Sequence, residues 1–260
     1  MTEAQMNTFF FGIYPYIALS VMFLGSIARY ERDPFTWKTS SSQMLRRRHF
    51  VIASILFHVG VLVIFAGHLV GLLTPIWVFD MLHVSHGAKQ ILAMVAGGIA
   101  GVMALIGGGM LMYRRWTDPR IRLTSSFADI GILALLLVQL LLGLGTVPVS
   151  WQHADGHEMV KFMTWVQMIW TFQPGAADYV AGAALVFKLH IVLGLTIFLL
   201  VPFTRLVHIA SGIFAPLRYL LLRPGYQIVR SRRASALPER DATVVKKLRI
   251  VAAKQPSAAE

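Results

Sequence analysis

The chain has 260 residues, 56% of them hydrophobic and only 14% charged, with 12 Met, nine His and no Cys. A water-soluble domain carries about 25% charged residues, so this composition cannot cover a globule in water and describes a membrane protein. The missing thiols exclude disulfides, Cys-ligated zinc, iron-sulfur clusters and covalently attached c-type haem within this chain, and imidazole is left as the main metal ligand. The net charge of +12 reads as basic loops on the cytoplasmic side of a membrane rather than as a nucleic-acid surface, so no nucleic acid is expected as a partner.

Runs of about 20 apolar residues suffice to cross a bilayer. In chain order such runs cover 9–28, 50–73, 91–113 and 130–149. A fifth, from Val180 to about His208, is interrupted by Lys188, His190 and Arg205 and holds Pro202. Polar groups in a span are costly to insert, so this helix carries them for a purpose. The 159–172 stretch, with Lys161, Trp165 and Trp170, is too short to span and reads as interfacial or re-entrant. The first run lacks the basic flank of a cleaved signal.

The fold class expected is therefore an all-α integral membrane bundle of five transmembrane helices. Basic residues follow the first span (Arg29, Arg32, Lys38, Arg46, Arg47, Arg48), the third (Arg114, Arg115, Arg120, Arg122) and the fifth, whereas the other side has Lys89 and Lys161. The positive-inside rule then places the N-terminus outside and the tail in the cytoplasm. Two regions result: a five-span membrane domain over 1–210 and a basic cytoplasmic tail over 211–260. Spans two and five run antiparallel, two outward and five inward.

Four His lie in those two spans: His58 and His68 in the second, His190 in the fifth and His208 at its end. Antiparallel running pairs His58 with His208 toward the cytoplasm and His68 with His190 toward the outside. Each pair offers an imidazole on either side of a haem iron, and the two depths make an electron path across the membrane. Gly60, Gly67 and Gly194 flank the ligands, where they admit a flat macrocycle or serve helix packing. Arg205, one turn before His208, is placed to neutralise a haem propionate.

The spacing is uneven. On straight helices His58 and His68 differ by about 15 Å in depth but His190 and His208 by about 27 Å, and ten residues leave an offset of about 80° around the helix. Tilt or a break near Pro202 must absorb the difference. Proton relay in a transporter is the competing use of intramembrane His. Convergence of all four on zinc is excluded by depth.

His49, His83, His86, His153 and His157 fall in loops or at an edge, and no carboxylate is evidently placed with the outer four, so they read as solvated loop residues. Lys89, at the outer end of span three, reads by position as an anchor to lipid headgroups and alternatively as a donor to a quinone carbonyl. Asp129 reads as a helix-start residue. The glycines of span three (Gly97, Gly98, Gly101, Gly107, Gly108, Gly109) read as a close helix contact.

Several strings carry a more specific likeness: FFFGIYPYIA at 9–18, SSQML at 41–45, LFHVG at 56–60, AGHLVGLLTP at 66–75, KQ at 89–90, AGG at 96–98, FKLHIVLG at 187–194 and FTRLVHI at 203–209. With these the chain resembles the gamma subunit, a dihaem cytochrome b, of membrane-bound respiratory nitrate reductases, over roughly 9–233. The resemblance implies two b haems with bis-histidine ligation, His58 and His208 holding the iron of the cytoplasm-side haem and His68 and His190 that of the outer one. It implies a role in quinol oxidation for Lys89. The implied partners are an iron-sulfur beta subunit and a molybdenum-containing alpha subunit on the cytoplasmic side, besides quinol and membrane lipids. The implied place is the inner membrane of a bacterium. Electrons from quinol would pass through the haems to the site where nitrate becomes nitrite, on another chain. A dihaem anchor of a heterodisulfide- or sulfite-type reductase is the nearest alternative. The 76–88 loop and the tail beyond about Arg233 depart from the family's pattern.

Overall fold

In a computed structural model of the chain, residues 2–33, 37 and 49–209 are described. The expected tail over 211–260 and the basic run at Arg46, Arg47 and Arg48 lie outside them. The described residues form helices and no strand: α1 (Glu3–Thr8), α2 (Tyr14–Arg32), α3 (Phe50–Leu73), α4 (Ile76–Met81), α5 (His86–Thr117), α6 (Pro119–Leu123), α7 (Phe127–Trp151), α8 (His157–Trp170), α9 (Asp178–Ala181) and α10 (Leu185–Leu200). Five helical stretches are long and apolar enough to cross a bilayer: Glu3–Arg32, Phe50–Leu73, His86–Thr117, Phe127–Trp151 and Leu185–Phe203. The five-helix membrane architecture expected from hydropathy is thus the architecture found, and the protein is a multi-pass membrane protein.

The helix starts follow their capping residues. Thr2 and Gln5 exchange side-chain and backbone hydrogen bonds at the head of α1, and Ser126 and Asp129 do the same for α7, each satisfying otherwise orphaned amides. A π-helical turn at Phe9–Ile13 joins α1 to α2. Pro15, in the first turn of α2, has no N–H for the carbonyl four residues earlier, that of Phe11. That carbonyl instead accepts from the indole Nε1–H of Trp165 at 2.8 Å. The short amphipathic stretch before residue 172 is therefore no free interfacial helix: Trp165 and Ile169 of α8 are buried with Phe11 and Val180 in one apolar cluster.

Packing runs α3, α5, α7, α10, α2 in space. Glycines set the closest approaches. A Cβ on Gly60 of α3 would lie 2.5 Å from the Ala100 carbonyl oxygen of α5, one on Gly107 of α5 would meet the α3 backbone at Ala53 and Phe57, and one on Gly101 would lie 2.8 Å from Leu144 of α7. Three of the glycines in this helix face open space instead, Gly97, Gly98 and Gly109. The close-contact expectation holds for half of that series.

The fifth helix is shorter than the run from Val180 to about His208, and it breaks near Pro202 as the His spacing suggested. Chain turns and α9 precede it, α10 ends at Leu200, and two 3-10 turns follow at Val201–Phe203 and Arg205–Val207. Between them Thr204 is extended, at φ −123° and ψ −179°. Pro202 sits in the first 3-10 turn, where a missing N–H and a fixed φ end the α-helix. The Arg29 guanidinium of α2 donates to the carbonyls of Pro202 and Thr204, both at 2.8 Å. Gly25, one turn earlier, allows this contact, since a Cβ there would lie 2.9 Å from the Pro202 ring.

Gly107→Val should place two methyls against the α3 backbone and lower stability by about 1–3 kcal/mol, whereas Gly131→Ala, where nothing lies within 4 Å, should leave it level or slightly raised. Thermal unfolding of both variants in one detergent checks the contrast. Removal of the Arg29 fork should also loosen the break: Arg29→Leu is expected to speed amide exchange over 201–208 at least tenfold, with α3 and α5 unchanged, by hydrogen-exchange mass spectrometry.

Candidate functional site

The two His-bearing helices, α3 and α10, are not packed along one another. Their imidazoles meet across the intervening space in two pairs. The ring centres of His58 and His208 are 6.3 Å apart and those of His68 and His190 are 6.2 Å apart. Straight helices would leave a mismatch of about 15 against 27 Å; here α10 ends at Leu200, and two 3-10 turns with an extended Thr204 between them lead to His208.

Nitrogen chemistry at the rings is consistent across three of the four. Nδ1–H of His58 faces the Ser54 carbonyl at 2.8 Å, that of His68 the Ile64 carbonyl at 2.8 Å and that of His208 the Arg205 carbonyl at 2.6 Å. A hydrogen bond from Nδ1–H fixes the tautomer and leaves the lone pair on Nε2, as metal-binding imidazoles require. His190 departs from this pattern: its Nδ1 is buried with no hydrogen-bond partner among the described residues, as is Oε1 of Gln139. Gln139 of α7 donates to the His190 carbonyl at 3.0 Å, and the same amide nitrogen stands 3.4 Å from His190 Nε2. Gly143, one turn further, makes room for the His190 ring, since a Cβ there would lie 3.0 Å from its Cε1.

These features suit an iron held between two imidazoles. With metal–nitrogen bonds of about 2 Å and about 1.1 Å from nitrogen to ring centre, two imidazoles that held one iron between them would have ring centres about 6 Å apart. Among the described residues no three His, Asp or Glu converge on a common point, so the rings act in twos. Next to His68 on α3, nothing lies within 4 Å of a Cβ built on Gly67 or on Gly71, one turn further. Gly60 and Gly194 have no such space. Gly60 is filled by α5, and a Cβ on Gly194 would lie 3.1 Å from the Gln139 amide.

At the end of the bundle that holds His58 and His208, Arg205 lies 3.8 Å from Asp129. Asp129 is both the α7 capping residue and a charge partner, and only the first role was visible in the sequence. Arg115 joins the same group electrostatically and donates to Ser125 Oγ at 2.8 Å. Two guanidiniums therefore share one carboxylate there.

Lys89 sits near the opposite end and is no headgroup anchor: it is only 8% exposed. Its Nζ donates to Met163 Sδ at 2.8 Å and stands 4.1 Å from the centre of the Phe79 ring. No oxygen atom among the described residues lies within hydrogen-bonding distance of it. An ammonium has three donors and is strongly hydrated in water, so a thioether and a ring face leave it short of an oxygen acceptor. Gln90, its neighbour, donates to the carbonyls of Ser150 and His153 at 2.9 and 2.6 Å, which ties α5 to the end of α7.

The family model of the nitrate reductase gamma subunit matches residues 7–232. The chain belongs to that family. It is 54% identical over 228 residues to the respiratory nitrate reductase 2 gamma chain of Escherichia coli (strain K12), covering 88% of this chain and 98% of that protein. Identity is 50% over 227 residues to the respiratory nitrate reductase 1 gamma chain of the same organism, covering 87% and 98%. It is 38% over 221 residues to the nitrate reductase gamma chain of Bacillus subtilis (strain 168), covering 85% and 96%. A gamma subunit of nitrate reductase is one chain of a multi-subunit enzyme, so catalytic partner subunits are implied and the nitrate site is not on this chain.

The paired geometry makes each ring dependent on its opposite. Gly143→Leu should push the His190 ring out of place and lower the haem content of the purified protein by about half, while Gly131→Ala leaves it unchanged; pyridine haemochrome analysis per mole of protein checks this.

Proposed function

We propose that this chain is the quinol-oxidising cytochrome b subunit of a respiratory nitrate reductase in a bacterial inner membrane. The observation that carries the reading is the meeting of four intramembrane imidazoles in two pairs, at 6.3 and 6.2 Å between ring centres. His58 and His208 would hold one haem b and His68 and His190 the other. The haems, when bound, supply reversible one-electron carriage at two depths. The side chains do the rest. Three backbone carbonyls orient the rings, α5 and α7 hold the two His-bearing helices in place, and Arg205 adds positive charge where haem carboxylates would emerge.

By the positive-inside rule the end with His58, His208 and the basic segments is cytoplasmic, and the end with Lys89 is outside. Quinol then binds at the outer end, where its oxygen supplies the acceptor that the Lys89 ammonium lacks. Oxidation there releases two protons outside, and two electrons cross to the basic face. An iron-sulfur beta subunit and a molybdenum-containing alpha subunit would take them to nitrate. With no Cys in the chain, the next iron-sulfur carrier must belong to another polypeptide.

The test is anaerobic reduction of the purified complex by quinol, followed at the alpha band of b haem. Quinol should reduce the haems in the native complex, and Lys89→Ala should slow that reduction at least tenfold while nitrate reduction from a viologen donor continues. Native membranes with no quinol-reducible b-type signal, or a Lys89→Ala rate equal to native, would reject the assignment. His68→Ala is expected to remove one of the two haems and quinol oxidation together, again sparing viologen-driven nitrate reduction.

A further inference from the structure

Beside Lys89 stands a second group that the reading above leaves unused. His86, the first residue of α5, places Nε2 3.5 Å from Oδ1 of Asp80 in α4. Its other ring nitrogen, Nδ1, is buried with no hydrogen-bond partner among the described residues. His86 is therefore not a solvated loop residue, as the sequence suggested, but one end of a carboxylate–imidazole pair whose far nitrogen awaits a proton.

The backbone there is closely held. Gly156, at φ +88°, brings the α7–α8 loop against His86, so that a Cβ on it would lie 2.6 Å from the His86 carbonyl carbon. A Cβ on Gly87 would lie 3.0 Å from the Ala154 carbonyl oxygen. His86 and Lys89 are three residues apart on one helix and lie on the same face. Asp80 acts electrostatically on Lys89 as well, so one carboxylate serves both cations-to-be. Phe79, its neighbour in α4, covers the Lys89 ammonium.

Quinol oxidation poses a chemical demand that Lys89 cannot meet. Each quinol gives up two electrons and two protons, and an ammonium has no lone pair with which to accept one. Lys89 can hold a quinol oxygen; a base must stand nearby. The Asp80 carboxylate can accept from His86 Nε2–H, which fixes the tautomer with the lone pair on Nδ1 and stabilises the imidazolium that forms on protonation.

We propose that His86, paired with Asp80, is the base that takes the proton from quinol held by Lys89. The O–H bond of the quinol breaks and an N–H bond forms at Nδ1. The bonding pair stays on oxygen as quinolate, which then yields its electrons to the cytochrome. The imidazolium gives its Nε2 proton to outer water by way of Asp80, and exchange with water then restores the tautomer with N–H at Nε2 and the lone pair on Nδ1, which takes the second proton. This rests on the quinol reading of Lys89.

Other titratable groups lie on the elements around His86. Besides Asp80 and Lys89 these are His153 and Asp155 on the α7–α8 connection, His157 at the start of α8, 3.9 Å from Asp155, and the Glu158–Lys161 pair of α8 at 2.6 Å. His83 stands in the preceding turn.

The test is the pH profile of quinol-driven haem reduction in the assembled complex of native, His86→Gln, Asp80→Asn and Lys89→Ala proteins. Native rates should fall toward acid pH as the base becomes protonated. His86→Gln should lower the maximal rate about 100-fold, abolish that acid limb and leave half-saturation by quinol within about threefold. Asp80→Asn, a change at a half-exposed side chain, should move the acid limb to lower pH, because the imidazolium loses its stabilising charge. A His86→Gln complex with native rate and profile overturns the proposal while Lys89→Ala remains slow. A native Lys89→Ala rate overturns the underlying quinol site instead. If His86→Gln does not assemble, an Asp80→Asn profile superimposable on the native one overturns the proposal.

Discussion

Everything in this protein turns on keeping α3 and α10 apart by the distance at which their imidazole rings meet, with centres 6.3 and 6.2 Å apart. Imidazoles in an apolar bundle are costly unless partnered, and here four of them meet as two pairs across the space between α3 and α10. Direct packing of those two helices would close that space. They are separated because each is anchored elsewhere, α3 to α5 through Gly60 and Gly107, and α10 to α7 and α2.

The same constraint explains features that look incidental in isolation. Two straight, parallel-axis helices of unequal His spacing would hold one pair out of register, and the fifth helix ends early, at Leu200. The break exposes carbonyls that would otherwise be satisfied within the helix, and Arg29 answers for two of them. A charge at the end of the first span thus fixes the approach to His208 at the end of the last. On the other side of the bundle, the glycine-closed α7–α8 loop and the Gln90 bonds to Ser150 and His153 hold the start of α5, where Lys89 and His86 stand. Rigid backbone under both ends is what a site needs if protons and electrons are to leave in opposite directions.

Much of this could be read from the residues. Apolar run length located the five spanning helices, and the division of His between spans and loops singled out the four rings that the structure pairs. Pro202 marked the break that the spacing demanded. Other features depend on contacts between distant segments and carry no local signal. Arg29 looks like one more positive-inside residue, yet its partners are backbone carbonyls in the 201–204 segment, and a carbonyl has no letter of its own. Lys89 is buried because α4 and α8 fold over it, which its place at a span end disguises. His86 acquires a carboxylate only through the turn after α4. Among the glycines, those that pack helices and those that face open space are the same residue, and only the neighbours in space tell Gly107 from Gly97.

The central claim is the pairing itself, and it is tested most directly by the low-spin haem signals in electron paramagnetic resonance spectra of the purified complex carrying His58→Ala, His68→Ala, His190→Ala or His208→Ala. The account predicts two signals in the native complex, one lost in common by His58→Ala and His208→Ala and the other by His68→Ala and His190→Ala. Loss of one signal by substitutions at His58 and His190 together, or retention of both signals in any single variant, would contradict it.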